Sequence, residues 1–371
     1  MTATFCATII GVGIFVLPYI AAKVGFIEML VYFALLTVPV IIIHRLLAYI
    51  AWGTDGIGSI PDYADRYLGP NVRNFVLFIS ATRVVGVLLA YILLGGFFLQ
   101  SLLRPYFGGK EIFYTTAFFI FASFLIYKKE ADGESGKRDL FALFFGFIAL
   151  FVLTVKALPV FDFSYLNNGI NIQEAALPFG VILFALWGLH TVPMLKKEAQ
   201  ESGGIKEYIK AIDLGIIISA LFYVAFFAVI LGVSGARTSQ DALSKFVEIV
   251  GGNVVKIGFV FGLFIILDSF LALGVSLRDI FHTDAKLSRV ISWVFACFLP
   301  LSLFLMGFKD YVSIISIVGA FLFAMEGIIV ILMYQRFSSQ VLQKRSPLYV
   351  SALAIALSGI IVAEFWYFII K

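Results

Sequence analysis

Arg83, His190, Asp268 and Glu326 each stand inside an apolar stretch. Ionisable groups in such surroundings are costly, and they count as functional candidates by default. The chemistry open to them is proton or cation binding and recognition of a charged small molecule. Arg83 lies about a dozen residues into its run, where carbonyls or a buried acid can hold it. Glu326 either pairs with Arg83 or faces an internal cavity. His190 is either a proton relay, since imidazole titrates near physiological pH, or a polar partner for an unwound carbonyl. Asp213, His44 and Arg45 read as interfacial. Lys156 and Glu364 read as snorkelling residues near the ends of their runs. Phe184 and Trp187 either line a substrate pocket or pack.

The elements that must carry these residues are membrane helices. Of 371 residues only 13% are charged and 61% are hydrophobic, with a mean hydropathy of +1.03. Soluble domains carry about 25% charged residues, so this chain cannot cover a soluble surface. A hydrocarbon core takes about 20 apolar residues per helix. Eleven such runs are legible, at roughly 5–22, 26–50, 72–102, 111–127, 139–157, 175–194, 209–233, 252–277, 288–307, 310–334 and 347–370. Between them, SIPDYADRYLG at 59–69 and SQDALSKFVEIV at 239–250 read as surface amphipathic pieces. The expected architecture is an all-α integral membrane protein of one transmembrane domain, 1–371.

Two of the runs contain helix-weakening residues. The first reads GVGIFVLP at 11–18, and the sixth reads ALPFGVILFALWGLHTVPML at 176–195. Glycine costs about 1 kcal/mol relative to alanine in a helix, and proline more. The first and the sixth run each open a unit of five spans, and an odd number of spans inverts the second unit relative to the first. Paired interrupted helices in inverted halves point to a secondary transporter site. Glycines that let the backbone unwind would free N–H groups at Gly11, Val12 and Gly13, flanked by Ile10 and Ile14, for a substrate carboxylate. Carbonyls around Leu186, Trp187, Gly188 and Leu189 would meet its ammonium group.

GVGIFVLPYIAAKVGF resembles the first helix of the amino acid/auxin permease family, within the wider amino acid–polyamine–organocation group. FALWGLHTVPMLKKE at 184–198 resembles its sixth helix, and SFLALGVSLRDIF at 269–281 its eighth. The resemblance runs over the whole chain. It implies the LeuT-type fold: two inverted five-helix repeats, 1–158 and 174–335, and an additional eleventh helix, 346–371. It also implies amino acid uptake with a cation, by alternating access around the broken helices. The chain departs from the family in having only about four residues before its first span. In LeuT-type transporters a sodium site lies between the broken first helix and two adjacent hydroxyl residues of the eighth. The matching residues here are Asp268 and Ser269, facing carbonyls around Ala7 and Ile10. Hard cations prefer oxygen ligands, so the set could bind sodium. Alone in an apolar setting, Asp268 could carry a proton instead, and with no second carboxylate or hydroxyl pair beside it the proton is favoured. A structural role, paired with Arg83 or capping a backbone group, is the third reading.

Other function classes find little in the residues. A net charge of +4 sits in short loops and forms no patch for nucleic acid. Cys6 and Cys297 fall in apolar runs and suggest no disulfide framework. The first run lacks the basic leader of a signal peptide. No metal-ligand spacing, phosphate loop, nucleophile elbow or cofactor motif is evident. An ion channel and a membrane-embedded enzyme are the competing classes. Lys and Arg gather on alternate loops, among them Arg45, Arg66 and Arg73, then Lys196, Lys197, Lys206 and Lys210, then Arg336, Lys344 and Arg345. By the positive-inside rule the N-terminus is cytoplasmic and the C-terminus outside the inner (plasma) membrane. The expected partners are an amino acid, a proton or sodium, and the bilayer. Nothing in the sequence fixes an oligomeric state or which amino acid is carried.

Overall fold

The computed structural model describes residues 1–56, 58–128, 136–167, 171–251 and 256–370. Lys371, the end of the expected eleventh helix, lies outside them. The first run folds as two helices, α1 (Thr2–Ile9) and α2 (Leu17–Val24), joined through a tight 3-10 turn at Val12–Phe15 and bent by 51°. Then come α3 (Phe26–Gly53), the short amphipathic α4 (Ile60–Leu68), α5 (Pro70–Phe107), α6 (Glu111–Lys128) and α7 (Gly136–Ala157). The sixth run is α8 (Leu177–Leu186), two 3-10 turns and α9 (Lys196–Ser202). It is followed by α10 (Ile205–Ser234), α11 (Leu243–Val250), α12 (Lys256–Asp279), α13 (Arg289–Leu305), α14 (Tyr311–Ile317), α15 (Ala324–Gln340) and α16 (Leu348–Ile370). A π-helical turn, Val318–Phe323, joins α14 to α15.

Local sequence explains the ends. Ser59 and Asp62 form a reciprocal capping box at the start of α4, which therefore begins where the amphipathic piece was expected. Pro18 and Pro178 lie in the first turns of α2 and α8, where a missing N–H goes unnoticed. The prolines thus start the helices that follow; they do not make the breaks.

Among the described residues nine helical elements are long and apolar enough to cross a membrane, and the bent pair α1–α2 makes a tenth. The ninth expected run forms α13, apolar but only 17 residues long. Phenylalanines such as Phe144 and Phe151 on α7, with Leu35 on α3 and Trp366 on α16, face outward, as a lipid-facing surface requires. The sixth run is the most enclosed element and α16 is among the least.

Two expectations about charge fail here. His44 is not interfacial: it is fully buried in α3. Glu364 does not snorkel: it is fully buried and accepts the Ser316 hydroxyl of α14. Both errors come from judging depth by distance from a run's end, when the neighbouring helices decide it. Arg45 and Asp213, both expected at the interface, pair across α3 and α10 in a bidentate contact of 2.6–2.7 Å. Lys156 is exposed. Cys6 and Cys297 are free and buried.

The tightest helix contact is backbone on backbone. A Cβ on Gly319 would lie 1.8 Å from the Gly180 carbonyl oxygen, and one on Gly180 would lie 2.2 Å from that of Ser316. Gly319→Ala should therefore destabilise the protein by about 1–3 kcal/mol or more, as overpacking does. Gly359→Ala, where a Cβ would meet nothing within 4 Å, should be neutral or slightly stabilising. Thermal melts of the two purified variants check this; equal melting temperatures would contradict the contact.

Candidate functional site: the junction of two helix breaks

The two breaks lie against each other near the middle of the bundle. In the first span the backbone leaves the helix at Ile10 and runs extended through Gly11 (φ −129°, ψ −153°). Any residue can adopt these angles, so Gly11 is not needed for unwinding as expected. Gly13 serves close approach instead: a Cβ there would sit 2.9 Å from the Ala185 Cα on α8. Gly188 does the same in return, its Cβ position lying 2.9 Å from an Ile9 side-chain carbon. The glycines bring the breaks together, and the breaks arise between them.

The groups released at the breaks are held by side chains. The Tyr223 hydroxyl of α10 is 2.6 Å from the Ile9 carbonyl and 3.1 Å from that of Ala185, so one phenol spans both breaks. The same hydroxyl faces the Gly11 amide. Tyr311 of α14 donates to the Val12 carbonyl at 2.8 Å. The Tyr91 hydroxyl of α5 faces the Val12 amide and the Ser269 hydroxyl, with Asp268 within electrostatic reach. The N–H groups at Gly11 and Val12 that were expected to be free thus face tyrosine hydroxyls. These three tyrosines were missed in the sequence. For Tyr91 and Tyr223 the available signal was a phenol in the middle of an apolar run, since a buried Tyr hydroxyl needs a partner; Tyr311, at the start of its run, gave no such signal.

The sixth-span break has its own support. Gly188 N–H points to His44 Nε2 at 3.2 Å, and His44 Nδ1 lies 2.7 Å from the Val40 carbonyl. The Trp187 indole N–H donates to Glu326 Oε2 at 2.7 Å, and its ring stacks on Phe323 at 5.3 Å. Phe184 also meets Phe323, at 5.8 Å, while Ile14, Leu186 and Leu189 are fully buried. Trp187 and Phe184 therefore pack on the π turn. Arg83 pairs with Glu326 at 3.8 Å, which leaves Arg83 as Glu326's partner rather than Asp268's. Arg83 Nε and Glu326 Oε1 make no hydrogen bond among the described residues, and neither does His190 Nδ1.

Two cavities flank the junction. Ala7 and Ile10 line a small one of about 20 Å³ with Leu143, Gly146, Phe222 and Ile265, room for about one water-sized particle. Ile265 lies one turn before Asp268 and Ser269 on α12. The larger cavity, about 280 Å³, opens at the end of the bundle where α2 ends and α14 begins. Its lining includes Tyr19, Lys23, Glu174, Asp310, Ser313 and Tyr367, and Tyr311 stands between it and the break. Among the described residues no three His, Cys, Asp or Glu gather as a metal cluster.

If Tyr223 holds both breaks together, Tyr223→Phe leaves buried carbonyls unsatisfied. That should cost about 1–3 kcal/mol of stability, read as a lower melting temperature. A melt identical to wild type would mean that other groups satisfy the carbonyls.

Solved structures share this arrangement over nearly the whole chain. Mhp1, a nucleobase-cation-symport-1 family transporter solved in a closed conformation with bromovinylhydantoin bound, superposes with a TM-score of 0.68 at 14% identity, covering 99% of this chain and 89% of that one. MhsT in complex with L-phenylalanine gives a TM-score of 0.69 at 12% identity, covering 99% and 97%. Both are LeuT-fold transporters, so the fold is the LeuT type. No curated protein sequence matches. The sequence itself matches the tryptophan/tyrosine permease family over residues 2–365, rather than the amino acid/auxin permease family that its helix motifs resemble. The chain belongs to the tryptophan/tyrosine permease family.

Proposed function

We propose that this protein is a secondary active transporter that takes up an aromatic amino acid together with a cation. The observation that carries the reading is the junction of two helix breaks, bridged by the Tyr223 hydroxyl on the Ile9 and Ala185 carbonyls. Helix ends that meet inside a bundle offer both signs of partial charge. The 3-10 turn at Val12–Phe15 starts there and suits a carboxylate. The carbonyl ends of α1 and α8 suit an ammonium group or a cation. The family's name and the phenylalanine bound by MhsT support an aromatic amino acid, and the likeness to amino acid/auxin permeases agrees with it. Residues 10–14 on the first span and Phe184, Leu186, Trp187, Gly188 and Leu189 on the sixth form the proposed substrate site.

For the coupling ion we favour a proton over sodium, with Asp268 as the group that carries it, Ser269 next to it in the chain, and His190 as a second candidate relay. The sodium alternative would use Asp268 and Ser269 with the Ala7 and Ile10 carbonyls. The small cavity at Ala7 and Ile10 is lined otherwise by Leu143, Gly146, Phe222 and Ile265 and lends it no support. The fold reading divides the chain into inverted repeats, 1–158 and 174–335, with 346–371 an added helix and α13 a short ninth span. Loop charges put the N-terminus in the cytoplasm and the chain in the inner membrane. The larger cavity then faces outward and serves as the entry.

Proteoliposomes test this. Labelled tryptophan, tyrosine or phenylalanine should show trans-stimulated exchange, which neither a channel nor an enzyme gives. Gly13→Leu should abolish uptake while the folded protein remains in the membrane. An inward pH gradient should drive wild-type accumulation without sodium, and Asp268→Asn should lose accumulation yet keep some exchange. Strict sodium dependence with no response to pH would overturn the proton choice. Normal accumulation by Asp268→Asn would remove that residue from the mechanism.

A further inference from the structure

The hydrogen bonds of His44 fix its protonation state. The Val40 carbonyl can only accept, so Nδ1, 2.7 Å away, carries a hydrogen. The Gly188 amide can only donate, so Nε2, 3.2 Å away, carries none. His44 is therefore the neutral Nδ1–H tautomer whenever the sixth-span break is in this arrangement. A proton on Nε2 and the bond from Gly188 exclude each other, because two donors would face one another in a fully buried site.

We propose that His44 is a proton-binding switch of the sixth-span break, taking a proton at Nε2 only when the Gly188 amide has moved away. The inference rests on the transporter reading, and it adds a proton site besides Asp268, on a different helix and at the back of the other break.

The surroundings of His44 set the balance. From α1 the Phe5 ring packs edge-on at 5.7 Å, and Cys6 beside it is engaged with the Gly215 carbonyl. From the sixth span Trp187 packs edge-on at 5.6 Å, and His190 lies within electrostatic reach of both His44 and Arg83. From α15 the Glu326 carboxylate stands behind the Trp187 indole. On α10, Asp213 is taken by Arg45, and the Tyr208 hydroxyl by the Val192 carbonyl. Lys196 of α9 is occupied by the Thr54 and Gly56 carbonyls at the far end of α3. Of these groups only His190 lies within electrostatic reach of His44. No cation pairs directly with the imidazole among the described contacts. When the second half of the sixth span leaves, Nε2 loses its donor and opens to a proton. The proton in turn blocks return to this arrangement until it is released.

Two measurements test this. In vesicles at equal pH on both sides, wild-type exchange of labelled amino acid should change at least several-fold between pH 8 and pH 5.5. In His44→Gln the amide oxygen can accept from Gly188 but cannot be protonated. That variant should still exchange, with the His44 portion of the pH dependence lost. Superposable pH profiles for the two proteins would overturn the proposal. Nitrogen-15 NMR of the His190→Gln/His282→Gln double variant, in which His44 is the last of the three histidines, tests it even if His44→Gln does not fold. At pH 8 the imidazole should be the Nδ1–H tautomer; the Nε2–H tautomer or an imidazolium would overturn it. If the wild type exchanges no amino acid at all, the transporter reading fails first, and the tautomer result still decides the state of His44.

Discussion

A helix broken inside an apolar interior exposes N–H and C=O groups that have no water to turn to, and each must find a partner within the protein. That requirement shapes the centre of this molecule. At the break after Ile9 and the break after Leu186, Tyr223 on α10, Tyr311 on α14 and His44 on α3 bond backbone groups, Tyr91 on α5 faces the Val12 amide, and Glu326 on α15 holds the Trp187 indole. Each of these helices is thereby tied to a break. A polar side chain that serves an unwound backbone group is not spare capacity, and a ligand entering the junction must take over the bonds it displaces.

The buried charges follow the same logic with less complete satisfaction. Arg83 and Glu326 are both nearly inaccessible, yet their closest approach is 3.8 Å. Burying a loosely joined ion pair is weak evidence for stability. What Glu326 does firmly is hold the Trp187 indole, so its connection is to the sixth-span break, with Arg83 supplying the opposing charge and resting over the Phe323 ring at 5.4 Å. Glu364 is a further buried carboxyl, served by the Ser316 hydroxyl of α14, at the residue whose carbonyl lies against Gly180.

Class and span placement were legible in the sequence because they depend on composition and run length, which neighbours barely alter. The two broken helices were legible because glycine and proline clusters are local. Their mechanism was not. Gly13 and Gly188 matter through the atoms of the opposite span, which no local pattern reveals. His44 reads as interfacial by its place in the run, and only the arrival of Gly188 from 144 residues away gives it a role. The tyrosines were visible as residues and invisible as partners for the same reason. Asp268 and Ser269 were placed by resemblance, and the structure brings them toward Tyr91 and Val12 on one side of the first break. Ala7 and Ile10 line a small cavity together with Ile265, one turn before Asp268 on α12.

The distribution of contacts along the sixth span suggests which part of it can move. Its first half, α8, is in backbone contact with Ser316 and Gly319 where α14 passes into the π turn, and it cannot slide there without separating two main chains. Its second half begins at Gly188 and is held by side chains: Gly188 to His44 at 3.2 Å, Thr191 to Thr8 at 3.3 Å across to α1, and the Val192 carbonyl to the Tyr208 hydroxyl of α10. Trp187 sits at the boundary, its ring stacked on the π turn and its indole on Glu326. Hinge motion concentrates where a few residues absorb the backbone change between a rigid and a looser segment. In this span that position is Trp187–Gly188. The bond most directly strained by such a motion is the one between Gly188 and His44, because it joins the first residue past the hinge to a helix on the fixed side.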